Sequence, residues 1–236
     1  FEFRWLARTS IFSVKLPFKV PAKGSLLREI PVLIVTAIVI SVVLKAFLIQ
    51  AFYIPSGSME NTLRVNDRVI VNKLGMHLGK IGRGDIVVFK DPGGWLPEPY
   101  VSDEVSFGQH IKNGFVAVGL LPDPADQDLI KRTIGVAGDT VKCCDKQGRL
   151  SVNGVPIDEK YIYPGNTPSD LAFEVKVPKG SIWVMGDHRS ASADSRYHQD
   201  DVNNGFVPVL RITGRAYAVI WPIKNIGIIS SQNPIK

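Results

Sequence analysis

Ile30-Pro-Val-Leu-Ile-Val-Thr-Ala-Ile-Val-Ile-Ser-Val-Val-Leu44, continuing as Lys45-Ala-Phe-Leu-Ile-Gln-Ala-Phe-Tyr-Ile54, is the stretch on which the architecture turns. A helix rises about 1.5 Å per residue, so the run from Ile30 to Ile49 would reach roughly 30 Å, the thickness of a bilayer's hydrocarbon core. Pro31 falls in the first turn, where its missing N–H costs nothing. Lys45 comes late enough for its stem to carry the ammonium to the far headgroups. The pattern predicts a transmembrane helix over 30–54. A buried core helix is the bland alternative. A cleavable export signal fits poorly, because about thirty residues precede the apolar run and no small-residue cleavage site follows closely.

On the N-terminal side stand Arg4, Arg8, Lys15, Lys19, Lys23 and Arg28 against Glu2 and Glu29. Most of the chain's net charge of +6 is therefore N-terminal. A nucleic-acid partner would call for a basic cluster on a folded face, so none is expected. A Lys/Arg-rich flank stays in the cytoplasm, which makes 1–29 a cytoplasmic segment and places everything after about residue 50 outside the plasma membrane. The chain opens on Phe1 rather than Met, which suggests residues upstream of it.

On the C-terminal side the pattern changes to short β-rich runs punctuated by Gly, Pro, Asn and Asp. They include 68–72, 85–89, 140–143, 150–153, 173–177, 181–185 and 212–221, with Asn153-Gly154 as a hairpin turn. A hydrophobic fraction of 45% over 236 residues excludes disorder throughout. Residues 55–236 read as one antiparallel, mainly β extracytoplasmic domain. Within it 91–128 is an irregular insertion, too long for an ordinary connection, whose apolar residues could touch lipid, cover a groove or pack on the domain.

Three segments could carry chemistry. Ile54-Pro-Ser-Gly-Ser-Met59 offers a serine on a Gly-containing turn with N–H and hydroxyl groups converging beside it, although such turns are common in solvated loops. Lys131-Arg-Thr-Ile-Gly-Val-Ala-Gly-Asp139 opens an apolar strand with two cations. Alternation sends these to opposite faces, so one should point inward. A lysine there loses hydration, and its pKa falls toward neutrality, where it can act as a base. Arginine cannot, because its guanidinium stays charged. The third segment, Gly186-Asp-His-Arg-Ser-Ala-Ser-Ala-Asp-Ser-Arg196, carries small hydroxyls that could orient the amine.

With Gly84-Asp-Ile-Val-Val-Phe89 these segments resemble, in order and spacing, the type I signal peptidases, the bacterial leader peptidases with a Ser-Lys dyad. The wording Val141-Lys-Cys-Cys-Asp145 adds an actinobacterial look. The resemblance implies Ser58 as nucleophile, Lys131 as general base, and the Ser58 N–H with the Ser56 hydroxyl as oxyanion donors. It also implies Ser192 orienting the lysine, with Asp187, Asp194 and Arg196 as structural support. Ile54, Pro55, Met59, Leu63 and Ile130 would line shallow pockets for the small side chains at −1 and −3 of a signal peptide. The implied partners are signal peptides of secreted preproteins, the lipid bilayer and, by proximity, the secretion translocon. His188, Ser190 and Glu60 depart from the common family residues, and Glu60 sets a carboxylate near the dyad.

No metal or cofactor is implied. His77, His110, His188 and His198 are scattered, and a Ser-His mechanism is disfavoured by Lys131 at the base position. Cys143 and Cys144 have no further cysteine to pair with, so two thiols on alternate faces of a strand is the simpler reading, with a vicinal disulfide as the other. The rival functional class is a non-catalytic, membrane-tethered β-domain that binds export substrates. A third reading is a Ser-Lys protease acting on itself or on a regulator, for which the sequence offers no DNA-binding segment.

Overall fold

In the computed structural model residues 26–47, 49–73, 81–97 and 128–235 are described. Most of the basic segment 1–29, nearly all of the insertion 91–128, and His77 and His110 lie outside them. The chain divides into two units, Phe1–Val39 and Ile40–Lys236. The first contributes the start of helix α1 (Leu26–Phe47), which begins four residues before the expected span, so Pro31 lies inside the helix rather than in its first turn. From Val32 to Ile40 its large apolar side chains are about half exposed or more. Among the described residues, which give α1 side chains from Glu29 to Ser41, no helix is long and apolar enough to cross a membrane.

The second unit is built on antiparallel sheet, as its β-branched runs predict. Strands β1 (Ile49–Tyr53), β2 (Arg68–Asn72), β3 (Ile86–Lys90), β4 (Asp128–Val136), β5 (Thr140–Cys143), β6 (Ser151–Val152) and β7 (Val155–Pro156) come first. β8 (Phe173–Lys176), β9 (Ser181–Met185), β10 (Val207–Pro208), β11 (Ile212–Trp221) and β12 (Gly227–Ile228) follow. The main sheet runs β1-β2-β11-β3-β4-β9-β10, with β12 also on β11, and the smaller runs β7-β6-β5-β8. Every pairing is antiparallel. Asn153 and Gly154 both adopt positive φ, 55° and 80°, in the two-residue turn that joins β6 to β7.

The expected helix over 30–54 ends early. Residues 49–53 are strand, with Ile49 to Tyr53 paired in register against Asn72 to Arg68. The physical reason is that Phe52 and Tyr53 suit a pleated surface and β2 offers an edge for the backbone groups of 49–53. Residues 91–97, assigned to the insertion, form an ordered turn. Asp91 accepts the N–H groups of Gly93, Trp95 and Leu96 there. The insertion's last residue, Asp128, opens β4.

β4 sits between β3 and β9, and both of its faces are covered. On one side Ile130 joins Ile54, Met59, Leu63, Val69 and Val71 in a core cluster, while Ile134 packs with Val141, Leu150 and Trp183 in another. Gly135 permits that second packing, since a Cβ there would lie 2.5 Å from a methyl of Val141. Two-sided burial explains why β4 reads as a nearly unbroken apolar run after its cations. Cys143 and Cys144 are joined as a vicinal disulfide rather than standing as two thiols.

Candidate active site

Ser58 lies in a single 3-10 turn, Gly57–Met59, between β1 and β2. The chain enters through Ser56 in an extended conformation and is held by Ile54 N–H on Asp67 O, Asn66 N–H on Ile54 O, and Leu63 N–H on Met59 O. Gly57 has little room for a side chain, because an added Cβ would stand 3.0 Å from the Glu60 carboxyl carbon. The turn thereby presents the Ser58 hydroxyl to β4.

There Lys131 donates from Nζ to Ser58 Oγ across 2.7 Å, the two residues standing 73 positions apart in sequence. Ser58 is 5% exposed and Lys131 4%. Burial pulls the lysine down to about 8, against the Asp194 and Asp187 carboxylates, which pull it up, while Arg196 adds to the fall. Glu60, the carboxylate set near the dyad, is turned toward the His188 ring, 3.2 Å from Nδ1.

Expectation held that one of Lys131 and Arg132 would face inward. Both do, because both faces of β4 are covered, and Arg132 is 0% exposed. Its guanidinium donates from Nε and Nη2 to the two oxygens of Asp187, at 2.8 and 2.6 Å, from Nη1 to Gly84 O at 2.9 Å, and to Thr62 Oγ1 at 3.1 Å. It also lies 4.0 Å over the Tyr161 ring. Thr62 in turn donates to Asp187. This bidentate pair ties the serine's loop, β4 and the 186–196 loop together.

The 186–196 loop is fixed by Asp194, which accepts from Gly186 N at 2.9 Å, Ser192 Oγ at 2.8 Å and Arg196 Nε at 2.8 Å. Asp187, Asp194 and Arg196 thus occupy bracing positions. Ser192 differs from expectation, since its hydroxyl proton goes to Asp194, the nearby acceptor charge, and Lys131 donates to Ser58. Gly186 admits no larger residue, because a Cβ would collide with Ser192 and stand 2.5 Å from Ser58 O.

The pocket residues also need correction. Ile54, Met59 and Leu63 are at most 1% exposed and belong to the core cluster, so they back the site rather than line it. Ile130 is 8% exposed, and Pro55 is exposed. Ser56 is exposed too, its Oγ 3.5 Å from Ser58 Oγ. Sequence reasoning gave no role to Arg132, Thr62 or Tyr161, nor to Arg189, which pairs with Glu159 and donates to Gly186 O. The absence of polar alternation along β4 was the available signal for Arg132.

His198 stacks on Trp95 and His188 on Tyr163, and among the described residues no group of three or more His, Cys, Asp or Glu could hold a metal ion. An open cleft of about 530 Å³ includes in its wall Asn166 and Tyr163, the ring on which His188 stacks.

A buried amine that resists its charge also makes a stability prediction. Folding prefers the uncharged lysine, so the native state binds fewer protons than the unfolded chain between about pH 8 and 10.5, and stability climbs across that window. Lys131→Met is expected to lack this climb. At pH 7 it should be the more stable protein by up to about 3 kcal/mol, converging with wild type above pH 10. Melting temperatures followed from pH 7 to 10.5 check this.

Residues 27–221 match the family model described as signal peptidase, peptidase S26. The chain is 38% identical over 234 residues to the signal peptidase I of Mycobacterium tuberculosis, which covers 91% of this chain and 79% of that one. It is 37% identical over 241 residues to the probable signal peptidase I of Mycobacterium leprae, covering 90% and 82%. A crystal structure of a signal peptidase I from Enterococcus faecalis is 25% identical, with a TM-score of 0.35, covering 58% of this chain and 96% of that one.

Proposed function

Because the chain belongs to the signal peptidase family, peptidase S26, we propose that it removes N-terminal signal peptides from exported preproteins with Ser58 as nucleophile and Lys131 as base. The observation that carries the reading is the 2.7 Å hydrogen bond between a buried amine and a buried hydroxyl, with the amine held at about 8. An ordinary lysine is protonated at neutral pH and cannot accept a proton; this one can.

Neutral Lys131 takes the Ser58 proton as Oγ bonds to the carbonyl carbon of the scissile peptide. The oxyanion that forms is received by the Ser58 N–H and by the exposed Ser56 hydroxyl turning toward it. Collapse breaks the C–N bond, and the Lys131 ammonium gives its proton to the departing amine of the mature chain. Water then attacks the acyl-serine with Lys131 again as base, and Ser58 recovers its proton. Ser192, bonded to Asp194, positions the amine through the charge it anchors.

Preference for small residues at −1 and −3 follows from the backing of the site. Ile54, Met59 and Leu63 are already packed in the core, so a substrate side chain held near Pro55 would find no depth beneath it for a large group. The tether is α1, whose exposed Val32, Leu33, Ile34, Val35, Ile38 and Val39 find an apolar environment in a bilayer. With the basic residues on the cytoplasmic side, 55–236 would work at the outer face of the plasma membrane, in reach of preproteins emerging from the translocon.

The testing experiment is incubation of the full chain in detergent with a preprotein, followed by N-terminal sequencing of the product. Cleavage after a small residue is expected, and an intact preprotein would overturn the proposal. The pH profile adds a second check. With the amine at about 8, roughly a tenth of it is neutral at pH 7 and roughly nine tenths at pH 9, so kcat/KM should rise about tenfold over that interval. A flat profile from pH 6 to 9 would remove Lys131 as the base.

A further inference from the structure

Glu60 follows the nucleophile by two residues, and the reaction above gives it no task. Its carboxylate folds back over the turn, so that a Cβ on Gly57 would meet its two oxygens at 3.1 and 3.3 Å. One of them, Oε2, meets His188 Nδ1 at 3.2 Å. The His188 ring stacks on Tyr163, centroids 4.0 Å apart and planes 12° from parallel, while the His188 N–H donates to Ser58 O at 3.1 Å. A carboxylate, an imidazole and a phenol ring thus form a continuous polar wall on the side of Ser58 that meets the 186–192 loop. Ile54, Met59, Leu63 and Ile130 form the apolar cluster beneath the turn, and Glu60 is not part of it.

Two observations separate Glu60 from the chemistry and from structural pairing. The charges that act most on Lys131 are Asp194, Asp187 and Arg196, while Glu60 is turned to His188. Beyond the wall, where Tyr163 and Asn166 border the open cleft, the neighbouring charges are matched with one another: Arg149 with Asp145, Lys160 with Asp158, and Arg189 with Glu159. Glu60 has an imidazole as its partner instead of a permanent cation, and its side chain is 34% exposed at the rim.

We propose that Glu60, buttressed by His188 and Tyr163, reads the charge of the first residues of the mature chain, favouring a basic side chain there and disfavouring an acidic one. The proposal rests on the signal peptidase reading, because it takes the partly exposed Glu60 carboxylate beside Ser58 to face the residues after the scissile bond. A carboxylate at the edge of a partly dry site acts on a charge a few ångströms away more strongly than it would in bulk water, and like charges brought together there suppress binding.

The test uses the full chain in detergent at pH 9 and three preproteins identical except for Lys, Gln or Asp at the second mature residue. Wild type should cleave them with kcat/KM falling in that order over about a tenfold span, Glu60→Gln should compress the span to within about twofold, and Glu60→Lys should invert it. Equal rates in wild type, or a span that survives Glu60→Gln, overturn the role of Glu60 while leaving the peptidase intact. No cleavage of any of the three by wild type overturns the peptidase reading and this proposal with it.

Discussion

Ser58→Ala leaves a preprotein intact under conditions in which the wild-type chain processes it, with a rate lower by on the order of 10⁴-fold or more. The hydroxyl is the group that bonds to substrate carbon, and no other side chain in the turn can replace it, since Ser56 is exposed and Lys131 donates to Ser58. Lys131→Ala is expected to fall equally far. The double variant should be no worse than either single, because nucleophile and base act as one unit and removing half removes the whole. Lys131→Arg sharpens the result: a guanidinium can still donate to Ser58 Oγ but cannot take its proton at any accessible pH, so this variant stays inactive even at pH 10. Product bands on a gel over a time course decide it. Processing by Lys131→Arg at even a tenth of the wild-type rate would mean that positive charge, not basicity, is what the site needs.

What the sequence made legible divides by range. Elements that depend on local pattern were readable: the runs 140–143, 181–185 and 212–221 are strands at those bounds, and Asn153-Gly154 makes its turn. The close of the helix was not, because Gln50-Ala51-Phe52-Tyr53 carries no strong stop signal and its strand exists only through the edge that β2 supplies. The site needed more than local pattern. Nothing in periodicity brings Lys131 to Ser58 across 73 residues; that pairing was implied by the order of motifs shared with the signal peptidases, and relatives from two mycobacteria match the actinobacterial look of the sequence. Arg132 was set aside as unable to act as a base, which is true of the chemistry and misses its position. Pocket residues were misjudged for a related reason, since a hydrophobic residue beside a nucleophile looks the same in sequence whether it lines a site or, as with Met59 and Leu63, lies wholly beneath it.

The second large effect concerns that overlooked arginine. Asp187→Asn should destabilise the protein by about 3–5 kcal/mol, because it leaves the fully buried Arg132 guanidinium without its counter-charge while the cation cannot shed its proton. For a folded unit of this size that is a fall in melting temperature of roughly 10 °C. Replacing both partners, as Arg132→Met with Asp187→Leu, removes the stranded charge and should recover most of the loss. Stability and activity then part company in a useful way. Asp187 is one of the two carboxylates that hold Lys131 up against the pull of burial, so in Asp187→Asn, where Arg132 stays charged, the lysine should ionise below its present value of about 8. The acid limb of the pH profile is accordingly expected to move to lower pH even as the maximal rate drops through loosening of Thr62 and the 186–196 loop. A brace that merely held the loop would lower the rate and leave the limb where it stands. Movement of the limb is therefore the sign that Asp187 acts on the base through its charge, while an unmoved limb would confine it to holding Arg132.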